Sequence, residues 1–423
     1  MKLFELSTMR LCGCLLFAAS AFSQTFPFTL PQTGEAIAVL EMAAPNTNWS
    51  LAGKEAAMAQ VQVDGAGPFQ IMLFAGPTAF QYRVLLGELA AGPHHLKIAR
   101  NAIYSSKDAE LTVKSAKFEQ STGIVERHAP MLYERKSAVG LYTDIPLVLY
   151  CEQKRVDGET VLEYTVIFSN EDGGTSTRGL MARWGRTTDI EFVYRVVLNP
   201  QGTRKSAMIQ GRGHNEGAFT GPFEGDHPML MPVTQNNMVA GEGPSAVRYQ
   251  PAPVVADLTA ASRELVMDQH PITWRVMAEE LIRENKLRLP GKVDGEKISD
   301  PRHYIFIEAK IKNQHSRTAA IVRLKGKPEF YMANLGRNDL AIERDGWIRT
   351  TVELPAGVTA EQIGEIGFQC LAADREKEAG VCQVDRVAKV FLLGRDYLPG
   401  PSLFKQATTV TIPTGQMHSW TLK

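Results

Sequence analysis

The sequence predicts a mainly β protein, with several β-sandwich or jelly-roll-like units and one short helical segment at about 259–287, and three observations carry that expectation. Short apolar runs with alternating polarity recur along the chain and are closed by Asp-Gly and Ala-Gly-Pro turns. Only one stretch repeats its apolar residues at helical spacing. A hydrophobic share of 44% against 22% charged is the composition of a folded chain, far from the charge-rich signature of disorder. At 423 residues the chain has room for several domains, read as 24–119, 120–255, 256–290 and 291–423 after a leader at 1–23. Lys plus Arg and Asp plus Glu both number 46, so no basic field draws in a phosphate backbone and nucleic acid is not an expected partner.

The leader is expected because Lys2 and Arg10 precede an apolar run at 11–22, and the small residues Ala21 and Ser23 stand two apart before Gln24. That is the three-part plan of a secretory signal peptide, cut after Ser23, and it predicts a secreted or periplasmic protein. The run is shorter than the roughly 20 residues that cross a bilayer, and no later run is longer, so no transmembrane segment is expected in the mature chain. Cys14 lies in LCGC, similar to a lipoprotein processing box, although the main apolar run follows it instead of preceding it. In an oxidising compartment Cys370 and Cys382 are the natural disulfide, worth about 3 kcal/mol for a loop of that size. Cys151, after the apolar run PLVLY, reads as a buried, unreactive thiol.

The segment 24–119 reads as a β-sandwich, from Val61 and Val63 before an Asp-Gly turn and from His95, Leu96 and Ile98 after Ala-Gly-Pro. The hairpin AAGPHHLKI resembles the last hairpin of immunoglobulin-like secreted modules. The central segment carries the strands DIPLVLYCEQ, TVLEYTVIFSN and TTDIEFVYRVVL, joined by Gly-rich loops long enough to bear function. In the helical segment Pro271 suits a first turn, and Trp274, Met277, Ala278 and Leu281 recur on one face as packing residues. From Arg302 the chain returns to strands. The stretch GWIRTTVELPAGVTAEQIGEIGFQC followed by VDRVAKVFLL resembles the closing strands of jelly-roll carbohydrate-binding modules, whose final strand opens with Asp.

Two clusters could carry chemistry. In TTDIEFVY, strand alternation puts Thr187, Asp189 and Glu191 on one face, with the carboxylates roughly 6 to 7 Å apart at the backbone. That spacing suits an acid/base pair or a shared cation. The structural alternative is a solvated face paired with Arg183 or Arg186. The loop GRGHNEGAFTGPFEGDHPMLMPVTQNNM holds His214, Glu216, Glu224, Asp226 and His227 between glycines, with Asn236 and Asn237 to follow. From these, Asp189, Glu191, Glu216 and Glu224 are the catalytic candidates. Arg183, Trp184, Arg186, Asn236 and Asn237 are the ligand-binding ones, and His214, Asp226 and His227 would bind a divalent cation such as calcium. Gly, Asn and Asp also dominate turns, so a plain polar loop is the competing reading. Glu171 and Asp172 read as a solvated hairpin end. Trp347 and Tyr331 read as core aromatics, with sugar-stacking platforms as the alternative.

The Asp-x-Glu pair at the start of a strand, with the segment GDHPMLMPVTQNN after it, resembles the core of the Vps62-like family over about a hundred residues. That family's GDWE is departed from at Thr188 and Ile190, and its Ser-His turn at Thr234, Gln235 and Asn236. The resemblance implies no settled activity. The sequence therefore supports a protein that binds an extracellular ligand, a glycan, through its central loops. The alternatives are a carbohydrate-active hydrolase or lyase working through paired carboxylates, and a structural envelope subunit.

Overall fold

A computed structural model describes residues 22–241, 244–292, 294–373 and 380–422. The expected leader lies outside the described residues apart from Phe22 and Ser23, and Cys14 lies outside with it. No helix among the described residues is long and apolar enough to cross a membrane.

The chain is mainly β, in several separate sheets with few helices. At the N-terminal end, Ser23–Leu30, Gly92–Arg100, Met58–Val63 and Phe69–Met72 form one antiparallel layer. Gly34–Ala43, Phe80–Leu89 and Thr112–Ser121 form a second sheet. Alternation works here as expected: Val61, Val63, Leu96 and Ile98 are buried, while Lys97 between the last two is exposed. The first sheet does not stop at position 119. Phe69–Met72 continues into Arg248–Tyr249, Met131–Tyr133 and His227–Pro232, so one hydrophobic core runs from Phe28 through the central strands.

The second large sheet holds the Asp189 and Glu191 pair. Its order is Asn215–Ala218, Arg204–Gly211, Asp189–Leu198, Glu159–Phe168, Pro146–Val156, Val254–Val255. Asp189 stands opposite Phe168 and Glu191 opposite Val166 in the antiparallel ladder. On the other side, Asp189–Leu198 pairs with Arg204–Gly211 only from Arg195 outward, so Gln210 and His214 leave the ladder near the strand's start.

The helical segment is Leu265–Gln269 followed by Ile272–Arg283, with Trp274, Met277, Ala278 and Leu281 all buried. Trp274 meets Phe306 and Phe391 edge-on, with centroids 5.4 and 6.1 Å apart, which ties the helices to the C-terminal strands. A further helix, Thr177–Trp184, stands just before the strand Asp189–Leu198. Ser176 caps it by accepting from Gly179 N at 3.2 Å, and Gly185 ends it in the left-handed conformation at φ 62°.

The C-terminal strands make two four-stranded sheets. One runs Gly346–Glu353, Tyr304–Gln314, Val381–Leu392, Val410–Pro413; the other runs Phe330–Met332, Ser316–Leu324, Ile363–Ala372, Met417–Thr421. Their inward residues form a core of their own. Asp385 sits inside Val381–Leu392 and does not open it, and that strand is not the last. The two strands after it occupy the places that the first two strands fill in a jelly roll, so the opening hairpin has moved to the C-terminal end. Cys370 and Cys382 are joined in a disulfide inside this sandwich, and Cys151 is a buried free thiol.

Candidate functional site

Between the central sheet and the C-terminal sandwich lies a polar cavity of about 410 Å³. Its floor is the start of the strand Asp189–Leu198, which contributes Asp189, Ile190 and Glu191. The preceding helix supplies Trp184, and Arg186 follows its glycine cap. Glu171 and Thr175 come from the loop before that helix, Arg263 and Glu264 from the lead into the helical pair, and Arg344 and Trp347 from the sandwich.

The approach to the floor is clamped from below. Thr187 N and Thr188 Oγ1 each lie 3.4 Å from a methionine sulfur of the helical pair, Met277 and Met267 respectively. Arg186 is 4% exposed; its Nε donates to Glu264 at 3.1 Å and its guanidinium also donates to the Thr188 carbonyl. The sandwich closes the far side by hydrogen-bonding the last carbonyls of the helix Thr177–Trp184, of which Met181 also accepts from Gly185 N at 3.1 Å. Thr350 and Thr351 hydroxyls donate to the Ala182 and Met181 carbonyls at 2.6 and 2.8 Å, and Arg344 donates to the Arg183 carbonyl at 2.6 Å. Gly185 is required in this contact. It has positive φ, and a Cβ there would come within 3.0 Å of Arg349 Cγ.

Three carboxylates share the acidic wall. Asp189 is 1% exposed, and its hydrogen-bond partner is the neutral amide of Asn237 at 3.0 Å. Burial holds its carboxyl well above the ordinary range, and the like charges of Glu191 and Glu171 add to this against the pull of Arg186 and Asn237. Glu191 accepts from Gln210 at 2.6 Å, with His214 Nδ1 4.0 Å away. Its carboxyl is also raised by burial, and His214, Arg186 and Arg263 offset part of the rise. Glu171 accepts from Thr175 N at 2.8 Å and is raised by burial and by Glu191. Glu264 behaves oppositely. Burial works against its charge, but Arg186, Arg349 and Arg344 outweigh it and hold the carboxyl below the ordinary range.

Over this wall Gln210, His214 and Asn236 form an arch, with Gln210 Nε2 3.3 Å from His214 Nδ1 and Asn236 Nδ2 3.4 Å from His214 Nε2. His214 and Asn237 both adopt left-handed backbone, at φ 58° and 55°. Such positions are tolerated best by Asn, Asp and His and recur at functional sites.

Of the residues singled out in the sequence, Asp189, Glu191, Trp184, Arg186, His214 and Asn236 line this one cavity, and Asn237 braces Asp189 from behind. Arg183 lies outside the cavity lining, with its guanidinium over the Trp184 ring at 4.5 Å. The remaining expectations need correction. Glu216 is exposed and paired with Arg195 at 2.7 Å, and Glu224 is held by Arg248 through two bonds of 2.9 Å, so neither carboxylate reaches the cavity. Asp226 pairs with Arg127 at 2.7 Å. His227 is buried, with Nδ1 2.8 Å from the Ala129 carbonyl and Nε2 3.1 Å from Glu35. His214, Asp226 and His227 therefore do not converge on an ion. Among the described residues no group of three or more His, Cys, Asp or Glu is disposed to hold a metal. Their glycine-rich loop folds as a strand and turns that spread them over two sheets.

Sequence reasoning missed Gln210, Arg263, Glu264 and Arg344, and took Glu171 for a solvated turn. Trp347 lines the cavity, whereas Tyr331 packs against the sandwich core and also borders a separate groove. Arg344 is 161 positions from its partner Arg183 and carries no local signal. Glu171 had one: the run from Asn170 to Ser176 is the entry to a capped helix, which makes its side chain part of a helix approach.

No family model matches the chain, and no curated protein matches it. Among solved structures, NLPPya in complex with glucosamine is 11% identical with a TM-score of 0.23, covering 31% of this chain and 70% of that one. The NLPPya complex with mannosamine is 12% identical with the same TM-score and coverage. A ruminal GH26 endo-beta-1,4-mannanase is 14% identical with a TM-score of 0.18, covering 32% of this chain and 27% of that one. Likenesses this distant carry no argument about activity, and the reading of the site rests on its own geometry.

Proposed function

We propose that the cavity receives a unit of an extracellular glycan and cleaves it by general acid/base catalysis through Asp189 and Glu191. The observation that carries this reading is Asp189 itself. It is a buried carboxyl with a neutral amide partner, opens onto a polar cavity, and is crowded by Glu191 and Glu171. Three carboxyls so placed cannot all ionise cheaply, and groups whose proton affinities are pushed apart are the usual division into acid and base. Asp189 is the proton donor, because burial and both neighbours favour its neutral form. Glu191, nearer to His214 and bonded to Gln210, is the ionised partner. The amides of Gln210 and Asn236 and the indoles of Trp184 and Trp347 supply the mixed polar and aromatic lining that sugar hydroxyls and ring faces need.

Binding without cleavage is the second reading, and it would use the same cavity. The structural disulfide supports the secreted or periplasmic setting proposed from the N-terminal segment. The two functional readings separate in a pH–rate profile on a glycan panel. Acid/base catalysis predicts a bell-shaped profile, with Asp189→Asn lowering the rate by about 100- to 10,000-fold. A protein that binds glycans at every pH without releasing product is a lectin-like module and not the enzyme proposed.

A further inference from the structure

The charges around the cavity are unevenly distributed: one carboxylate, Glu264, stands on the cationic side, and Arg186, Arg349 and Arg344 hold it charged. Glu171, Asp189 and Glu191 belong to the central sheet and its loops, whereas Arg263 and Arg344 come from the helical lead-in and the sandwich on the other side. Arg186 is not part of that cationic wall in any free sense, because Glu264 and the Thr188 carbonyl already hold it. Arg263 is different. Its side chain is exposed to the cavity and makes no hydrogen bond or ion pair with any described residue. Arg344 donates to the Arg183 carbonyl and lies 4.9 Å over the Trp184 ring. Burial pushes its guanidinium down to about 10 against the pull of Glu264, and Arg186, Arg183 and Arg263 add to the fall, a cost that a second anion beside it would relieve. Next to them the Trp347 indole N–H is shut off from solvent with no acceptor in reach. An accessible guanidinium and a crowded one on one wall are the complement of an oxyanion.

We propose that this wall, Arg263 and Arg344, takes the oxyanion of an acidic sugar unit, a carboxylate or a sulfate ester, while the opposite wall presents Asp189 and Glu191 to the glycosidic bond. This rests on the reading of the cavity as a glycan site and adds its substrate class. A ligand anionic at one end and hydroxylated at the other matches the two walls, whereas a neutral sugar leaves Arg263 unpaired, and an amino sugar places like charges together at the cationic wall.

The test is calorimetric titration of the full chain with galacturonate trimer, its carboxyl-reduced neutral trimer, galactose 6-sulfate and galactosamine. The proposal expects the galacturonate trimer to bind at least tenfold tighter than the neutral trimer, with the preference shrinking as salt is raised. It also expects Arg263→Gln to bring the two within about twofold, and Arg263→Lys to retain an intermediate preference. Arg263 makes no hydrogen bond or ion pair with a described residue, so these variants break no such contact and should fold, although its charge also favours the ionised forms of Glu191 and Glu264. Tight binding of galactose 6-sulfate assigns the oxyanion to an ester, and weak binding of it assigns a carboxylate; both support the wall's role. Equal affinity for charged and neutral trimers, or a preference for galactosamine, overturns the acidic-sugar inference and leaves the glycan reading standing. A chain that binds none of the four overturns both.

Discussion

Asp189 and Glu134 are both buried carboxyls, and what each faces decides its consequence. Asp189 opens onto the cavity, and burial with the like charges of Glu191 and Glu171 raises its proton affinity there. Glu134 is 2% exposed, sealed in the core beside Tyr249, and burial pushes its carboxyl up to about 8. Its raised affinity means that the folded state binds a proton that the unfolded state releases. The stability it contributes is fully present below the ordinary carboxylate pKa near 4.5 and is lost as pH rises toward 8. Glu134→Gln should therefore leave stability at pH 4.5 unchanged and raise it at pH 8 by about 1 to 3 kcal/mol, read from urea unfolding at the two pH values. Equal effects at both pH values would mean that the carboxyl is not protonated in the fold. Asp189 and Glu191 were legible as a pair because strand alternation fixes a shared face two residues apart. The distinction between such a site carboxyl and a merely buried one was not legible, since it depends on a cavity that only the assembled sheets create.

At the scale of elements, the site is held by contacts among three of them: the helix Thr177–Trp184, the helix Leu265–Gln269 and the strand Gly346–Glu353. Arg349 on that strand is completely buried. It makes two bonds of 2.9 Å to Asp268, one of 3.1 Å to the Glu264 carbonyl, and an ion pair with Glu308 on the neighbouring strand. Such a group is not a free gain, because desolvating its charges offsets much of the attraction, but removing one member strands the others. Arg349→Met should cost about 3 to 5 kcal/mol in urea unfolding, and Arg349→Lys should recover little of it, since an ammonium lacks the planar fork that meets Asp268 through two nitrogens. A loss under about 1 kcal/mol for Arg349→Met would show that this buried network does not tie the helices to the sandwich. The helical pair was legible from Pro271 and the spacing of Trp274, Met277, Ala278 and Leu281. The shorter helix before the site had equally plain marks, Ser176 and Gly185, but its eight residues are too few for periodicity to stand out from the neighbouring strands.

At the scale of the whole molecule, the β class followed directly from alternation and turns, while the way the sheets join did not. A parallel pairing such as that of Met131–Tyr133 with His227–Pro232 links segments about a hundred positions apart through two- and three-residue ladders that leave no local trace. The same holds for the cavity. Asp189 and Glu191 of its acidic wall sit in the motif that the sequence singled out, whereas Glu171 comes from the loop before the helix and Arg263, Glu264 and Arg344 arrive from the helical lead-in and the sandwich. The function proposed for this junction is that of a catalytic glycan site. It is tested most directly by measuring product release from acidic glycans by the wild-type chain and by Asp189→Asn and Glu191→Gln, with thermal unfolding of all three recorded in the same buffer at pH 7. Turnover by the wild type, abolished in both amide variants whose melting temperatures are unchanged or higher, is the predicted result. Retained turnover in the variants, or variants that lose it only because they melt several degrees lower, would contradict the claim.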